Sequence, residues 1–265
     1  MNENVKWIAA AVAVVGLSVG GVLYFSRDKK AEAAPQADVL PPPAPVAEEP
    51  AVKHPIPDSD MAQALPGLNE SNTSLQDALG KLVGKIAVEQ YVVPDDLVRH
   101  IVVSVDNLSE QKVAERLRPV KRVPGEFKTS GTEDDLTLDP ANFQRYETLI
   151  QLVKTVDTQQ VAVLYKNHYP LFQEAYADLG HPPQYFNDRM VEVIDHLLQT
   201  PDVQGPIALA QPGVLYTYAD PGLEALSAGQ KVLLRMGTEN AKVVKAKLRE
   251  LRAAVIAQPN PQPDP

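Results

Sequence analysis

The chain has 265 residues, no cysteine and a formal net charge of −9. Without cysteine it can form no disulfide, no thiol nucleophile and no cysteine-ligated zinc or iron–sulfur site. Residues 71–256 carry a net charge of −4 and lack the basic excess typical of nucleic-acid binders, so no nucleic-acid partner is expected.

Residues 7–25, WIAAAVAVVGLSVGGVLYF, are apolar from end to end. As a helix they would be roughly 28 Å long, about the thickness of the hydrocarbon core of a bilayer. The sequence therefore predicts a single transmembrane helix, with its flanks, over residues 1–30. A cleaved signal peptide is the alternative, because Ala31-Glu32-Ala33 resembles a cleavage site. We favour the uncleaved anchor, since four charged residues from Arg27 separate that site from the apolar run.

The charges that flank the anchor bear on its orientation. More Lys and Arg residues follow the span than precede it, which by the positive-inside rule places the C-terminal domain in the cytoplasm. A proline-rich spacer before a compact domain is instead a common layout for bacterial inner-membrane proteins that face the periplasm, and we favour that location. Gly16 and Gly20 have the small-xxx-small spacing through which two anchors could form a homodimer.

Residues 31–70 are dominated by alanine, proline and acidic residues. Such a segment buries too little apolar surface to offset the entropy lost on ordering, so a disordered linker is expected. Residues 257–265 repeat this composition and predict a disordered tail.

The first half of the remaining segment predicts helices and one irregular connection. Apolar residues recur at helical spacing from Ser74, and Pro94-Asp95-Asp96 has the residue types of a helix start. Residues 120–138 predict a loop or an irregular hairpin, after which Asp139-Pro140 begins another helix. The expected buried positions are Leu75, Leu79, Leu82, Ile86, Leu97, Ile101, Val105, Leu108, Phe143, Leu149, Ile150 and Val153.

The second half continues the helical pattern. A helix from Asp157 contains Pro170, which predicts a kink, and a further helix covers residues 184–199. Residues 206–218 predict a small hairpin, and Ser227 with Gln230 forms a capping box. A final helix from Thr238 has Val244, Leu248, Leu251 and Val255 as its core positions. We therefore expect a mainly α, compact multi-helix domain with one or two small β-hairpins over residues 71–256.

The helix over residues 184–199 has the densest polar chemistry. Asp188, Glu192 and Asp195 follow one another at helical spacing, and Glu192 with His196 has the one-turn spacing of helical metal ligands. With His181, these residues could form a binding site or a metal-assisted hydrolase. The second His of a zincin motif and a second Glu-x-x-His helix are both missing. We therefore favour a solvated or ion-paired face and expect no metal.

The final helix carries a stripe of basic residues that could meet an acidic partner or anionic lipid: Lys242, Lys245, Arg249 and Arg252. Because the opposite side is apolar, an amphipathic surface helix is the simpler interpretation. His168 on its apolar helix face predicts a core histidine with one hydrogen bond rather than a pocket residue. No glycine-rich phosphate loop and no G-x-S-x-G motif is present, so no cofactor is expected and no catalytic residue can be named.

Three runs resemble a bacterial family catalogued as domain of unknown function 3014: LVRHIVVSVDNLSEQKVAERLRPVKRVPGEF, YFNDRMVEVIDHLLQTP and LEALSAGQKVLLRMGTENAKVVKAKLRELR. The order of anchor, proline-rich spacer and domain also resembles that family. The resemblance implies a bacterial envelope setting and a domain over most of residues 71–256. It implies no activity, ligand or catalytic residue.

These observations favour a non-enzymatic, membrane-anchored interaction or scaffold domain with a protein partner in the envelope. The alternative is a hydrolase or metal-dependent enzyme of unfamiliar type that uses Asp188, Glu192 and His196.

Overall fold

The computed structural model describes residues 51–62, 64–132, 135–180 and 184–256. The anchor predicted over residues 7–25, residues 31–50 of the linker and the tail over 257–265 lie outside these ranges. None of the helices that are described is long and apolar enough to cross a membrane.

The described residues form a mainly helical domain with two small hairpins, as predicted. The helices are α1 (Ser71–Val83), α2 (Lys85–Tyr91), α3 (Leu97–Asn107), α4 (Ala141–Gln144), α5 (Glu147–Thr155), α6 (Thr158–Asn167), α7 (Tyr169–Ala177), α8 (Phe186–Leu198), α9 (Pro221–Glu224), α10 (Ala228–Arg235) and α11 (Thr238–Ile256). Single 3₁₀ turns occur at Asp58–Asp60, Leu68–Glu70 and Glu115–Leu117.

The main core lies between two groups of helices. The long helix α11 packs against α5, α6, α8 and α10, and α3 packs against α1, α7 and α8. The predicted core positions Val244, Leu248, Leu251 and Val255 of α11 are all buried, which confirms the phase of this helix.

The two hairpins are separate two-stranded antiparallel sheets that lie beside each other and are joined by an isolated bridge between Thr137 and Ala208. Strand β1 (Thr129–Ser130) pairs with β2 (Thr137–Leu138), and β3 (Leu209–Ala210) pairs with β4 (Thr217–Tyr218). Two backbone hydrogen bonds, Leu138 N to Ile207 O at 2.9 Å and Leu209 N to Leu136 O at 2.7 Å, join β2 to β3. Side chains of the hairpins and of α10 form a second apolar cluster, which consists of Leu138, Ile207, Leu209, Tyr218 and Leu234.

Several local signals fold as predicted. Asp157 accepts a hydrogen bond from Gln159 N at 2.8 Å, and Ser227 with Gln230 forms the complete capping box. His168 is a buried histidine whose Nδ1 lies 2.9 Å from Leu164 O.

Two helix predictions need correction. Gly84, with φ 78° and ψ 148°, separates α1 from α2, so the helical spacing does not continue to Ile86, which is 61% exposed. At Pro170 the helix ends rather than kinks. Because proline cannot donate to the preceding turn, α6 ends at Asn167 and Pro170 lies in the first turn of α7.

The predicted disordered linker over residues 31–70 is wrong for its described part. Residues 51–62, which we call the strap, lie against the domain, and the side chains of Ile56 and Leu68 are buried in the main core. The prediction used the average composition of residues 31–70, which does not reflect the two buried residues Ile56 and Leu68. Within the described residues, the segment packed on the domain therefore begins at residue 51, not at residue 71.

Candidate functional site

The predicted polar residues of α8 do not converge on one point. The Asp188 carboxylate accepts hydrogen bonds from the backbone N–H groups of Lys53 and His54, at 2.9 and 2.7 Å. Glu192 is 69% exposed and lies 3.1 Å from the guanidinium of Arg189. His196 Nε2 lies 2.9 Å from Ser227 Oγ. The three side chains thus have three different sets of partners.

Asp195 contacts another helix. Its two carboxylate oxygens accept hydrogen bonds from Nε and a terminal nitrogen of Arg252, at 2.5 and 2.8 Å. This two-point contact holds α8 against α11 and raises the pKa of the Arg252 guanidinium. His181 lies outside the described residues. Within the described ranges, no group of three or more His, Asp or Glu side chains could hold a metal ion.

The start of α8 forms instead a site that binds the strap, which we call the strap site: Tyr185, Asn187 and Asp188. The hydroxyl of Tyr185 accepts a hydrogen bond from Ile56 N at 2.7 Å. The Asn187 amide donates to His54 O at 2.8 Å and to Val255 O, near the end of α11, at 3.3 Å. Together with the Asp188 contacts, these bonds hold the main chain of the strap without contacting the polar groups of its side chains.

The hydroxyl groups of two buried tyrosines form hydrogen bonds with Asn187 of the strap site. Asn187 is fully buried. Its side-chain Oδ1 accepts a hydrogen bond from the Tyr165 hydroxyl at 3.1 Å, and its backbone N–H donates to the Tyr169 hydroxyl at 3.2 Å. Burial raises the pKa of the Tyr165 hydroxyl well above its usual value of 10. That hydroxyl therefore stays protonated and fixes the orientation of the Asn187 amide.

Two further contacts continue along the strap toward α1. Lys166 Nζ lies 3.2 Å from Asp60 Oδ2, and Ala62 N donates to Asn167 O at 3.0 Å. The side chain of Ile56 is the apolar anchor between these contacts and the strap site.

The predicted basic stripe of α11 divides into internal and exposed positions. Lys245 is only 5% exposed, and its Nζ donates to Thr200 O at 2.6 Å and to Asp202 Oδ1 at 2.7 Å. Arg252 pairs with Asp195, as described above, whereas Lys242 pairs with Glu239 on its own helix and Arg249 is exposed. The prediction of one exposed stripe is therefore wrong at Lys245. Successive residues of a helix are about 100° apart, so Lys245 lies at the edge of the apolar face that contains Val244 and Leu248.

Sequence reasoning missed Arg189 and the strap contacts. The Arg189 guanidinium donates to the carboxylate and the backbone carbonyl of Asp106, at 2.7 and 2.9 Å, and to Ser109 Oγ at 2.8 Å. It thereby satisfies a carbonyl at the end of α3. The isolated Ile56 between two prolines was the one sequence signal for the strap, whereas nothing in the sequence pairs Arg189 with Asp106.

A model of a protein family described as "Protein of unknown function (DUF3014)" matches residues 97–252. The chain belongs to this family. The matched segment begins with α3 and includes the strap site, but the strap itself precedes it. No curated protein and no solved structure shows a significant match to the chain.

Proposed function

We propose that the protein is a single-pass membrane protein of the bacterial envelope, whose helical domain is a non-enzymatic interaction module held away from the inner membrane. The observation that carries this proposal is the strap site. Its side chains accept three hydrogen bonds from the strap main chain and donate one to it, and a fifth bond joins Asn187 to the end of α11. The strap is the described segment that leads toward residues 7–25. A domain fixed at the end of a tether is suited to presenting the rest of its surface to a partner.

The polar residues that suggested an enzyme have structural partners. Asp188 binds the strap, Asp195 binds Arg252, and His196 lies against the capping box of α10. A hydrolytic site needs its acid, base and binding groups to converge on one concave position. The described geometry favours the interaction module because these side chains instead hold elements of the domain together.

Photocrosslinking in living cells tests the interaction module. The full-length protein should yield the same crosslinked partner in independent preparations, and a variant without residues 7–25 should lose it. If no partner is captured while the purified full-length protein turns over a substrate, the interaction module is the wrong function.

The membrane face requires its own measurement. A reporter that is active only outside the cytoplasm, fused after Pro265, should be active if the domain is periplasmic. An inactive reporter together with an active cytoplasmic reporter would place the domain in the cytoplasm, as the flanking charges suggest.

A further inference from the structure

The strap lies on the domain in the way that a short peptide ligand lies on a receptor. Of its twelve residues only Ile56 is buried, and six are exposed. Met61 adds a partly buried side chain at the edge of the main core. Pro57 has φ −63° and ψ 141°, the extended conformation of polyproline II. The described contacts of the strap are thus few, and segments held by few buried contacts open at a lower free energy than the core.

The strap site recognises the main chain of the strap and one of its side chains. Asp188 and Tyr185 accept from three N–H groups, and Asn187 donates to one carbonyl. The prolines Pro55 and Pro57 lie on either side of Ile56, at positions where an N–H group is not used. Because proline also restricts φ, both keep the segment extended without the loss of a hydrogen bond. The site therefore selects an extended segment that carries an aliphatic residue between two prolines.

A site without the strap would be left with unpaired polar groups. Asn187, at 0% exposure, would lose its acceptor on His54, and Asp188 would lose the two N–H groups that it accepts from. The position of the Ile56 side chain in the main core would also be empty. Since buried polar groups without partners are costly, the vacated site favours a segment that replaces the main chain of the strap.

We propose that the strap site is a peptide-binding site and that the strap is its built-in competitor. The ligand is an extended segment of a partner protein, with an aliphatic residue flanked by prolines, that takes the place of the strap. Because the strap precedes α1, its release leaves α1 to α11 in place. This inference rests on the proposed interaction module and names a surface that the module uses.

The strap should keep the affinity for the partner low. A segment joined to its own site by a short connection has an effective concentration of the order of millimolar. The apparent Kd of a competing segment is then raised in proportion to the time for which the strap occupies the site. Removal of the competitor should therefore tighten binding.

A labelled peptide with the sequence of residues 51–62 tests the proposal, with the full-length protein in lipid nanodiscs as the receptor. Ile56→Asp in the protein should release its own strap and bind the peptide at least about ten-fold more tightly than the wild type does. In the Ile56→Asp background, Asp188→Ala should weaken peptide binding about ten-fold. Glu192→Ala in the same background is the matched control and should leave the Kd unchanged, since Glu192 is largely exposed and contacts Arg189.

Three results of this experiment would overturn the proposal. The first is the loss of cooperative melting in Ile56→Asp, because the strap would then be an integral part of the core. The second is the absence of peptide binding to a folded Ile56→Asp protein. The third is equal binding by the Asp188→Ala and Glu192→Ala variants.

Photocrosslinking in cells connects the site to the partner. In the Ile56→Asp background, Asp188→Ala should lose the crosslinked partner and Glu192→Ala should keep it. If both variants capture the partner equally, it binds elsewhere, so the proposal for the strap site fails while the interaction module survives. Capture of a second copy of this chain alone would also overturn the proposal, because straps would then be exchanged between copies.

Discussion

The ammonium group of Lys245 is held inside the domain by one backbone carbonyl and one carboxylate. The carbonyl belongs to Thr200, just after the C-terminal end of α8, so the Lys245 side chain connects that end of α8 to α11. Its alkyl chain lies beside the apolar face of α11, where long basic side chains commonly bury their stems.

Lys245→Ala should destabilise the domain by about 1–3 kcal/mol, because the buried Thr200 carbonyl would lose its donor. Arg249→Ala, one turn away on the exposed side, should change the free energy of unfolding by less than about 0.5 kcal/mol. Urea denaturation of both variants measures the difference. Equal losses would mean that the Lys245 contacts contribute no more than an exposed side chain.

Asp202 gives this contact a pH dependence. Its hydrogen bond with Lys245, followed by the charge of Lys245, lowers the pKa of the Asp202 carboxyl below its usual value of 3.8. A lowered pKa stabilises the folded state above the unfolded-state pKa, and this stabilisation is lost as the pH falls through the folded-state pKa. The wild type should therefore melt at a higher temperature than Asp202→Asn at about pH 6. The difference in melting temperature should shrink toward about pH 3. A difference that does not change with pH would contradict a lowered pKa of Asp202.

At the scale of elements, α10 depends on a close approach that only glycine permits. A Cβ atom on Gly229 would lie 2.5 Å from Leu197 Cδ2 and 2.8 Å from Leu108 O, so α10 contacts the ends of α8 and α3 through its own backbone. Gly229→Ala should cost about 1–3 kcal/mol through overpacking. Gly213→Ala is the matched control, since nothing lies within 4 Å of its Cβ position. Calorimetry should show a lower melting temperature for Gly229→Ala and an unchanged one for Gly213→Ala. Equal melting temperatures would show that α10 can move away from α8 and α3 without loss of stability.

The strap is attached to the start of α8 through a few hydrogen bonds, two of which are accepted by Asp188. Asp188→Ala removes the acceptor of Lys53 N and His54 N, so hydrogen exchange of these two amides and of Ile56 N should accelerate. Glu192→Ala, one turn further along α8 and largely exposed, should leave their exchange unchanged. Equal exchange in both variants would show that Asp188 does not hold the strap.

For the whole molecule, the strap changes the expected boundary of the compact domain. Limited proteolysis of the full-length protein should leave a resistant fragment that begins near residue 51, because the strap backbone is hydrogen-bonded and Ile56 is buried. Mass spectrometry of the fragment identifies its first residue. A fragment that begins near residue 70 would show that the strap detaches readily.

The sequence predicted those features that local patterns determine. The apolar spacing of α11, the capping box at Ser227 and the hairpin over residues 206–218 each involve residues close in the chain, and each physical rule acts over a few positions. The contact between Asp195 and Arg252, 57 residues apart, depends on how two helices are placed, which no local pattern contains. The polar residues of α8 have separate partners for the same reason: the Asp188, His196 and Asp195 side chains contact the strap, α10 and α11, which the convergent alternative had not foreseen.

The bond from Asn187 to His54, beside its bond to Val255, has a mechanical consequence. If the proposed anchor were pulled while a partner held the domain, the load would reach the strap before α1, and the hydrogen bonds of the strap would be broken first. Detachment of the strap, residues 51–62, would lengthen the tether by up to roughly 40 Å while α1 to α11 stay folded. The strap would then act as a reserve of length that yields under force before the rest of the domain does.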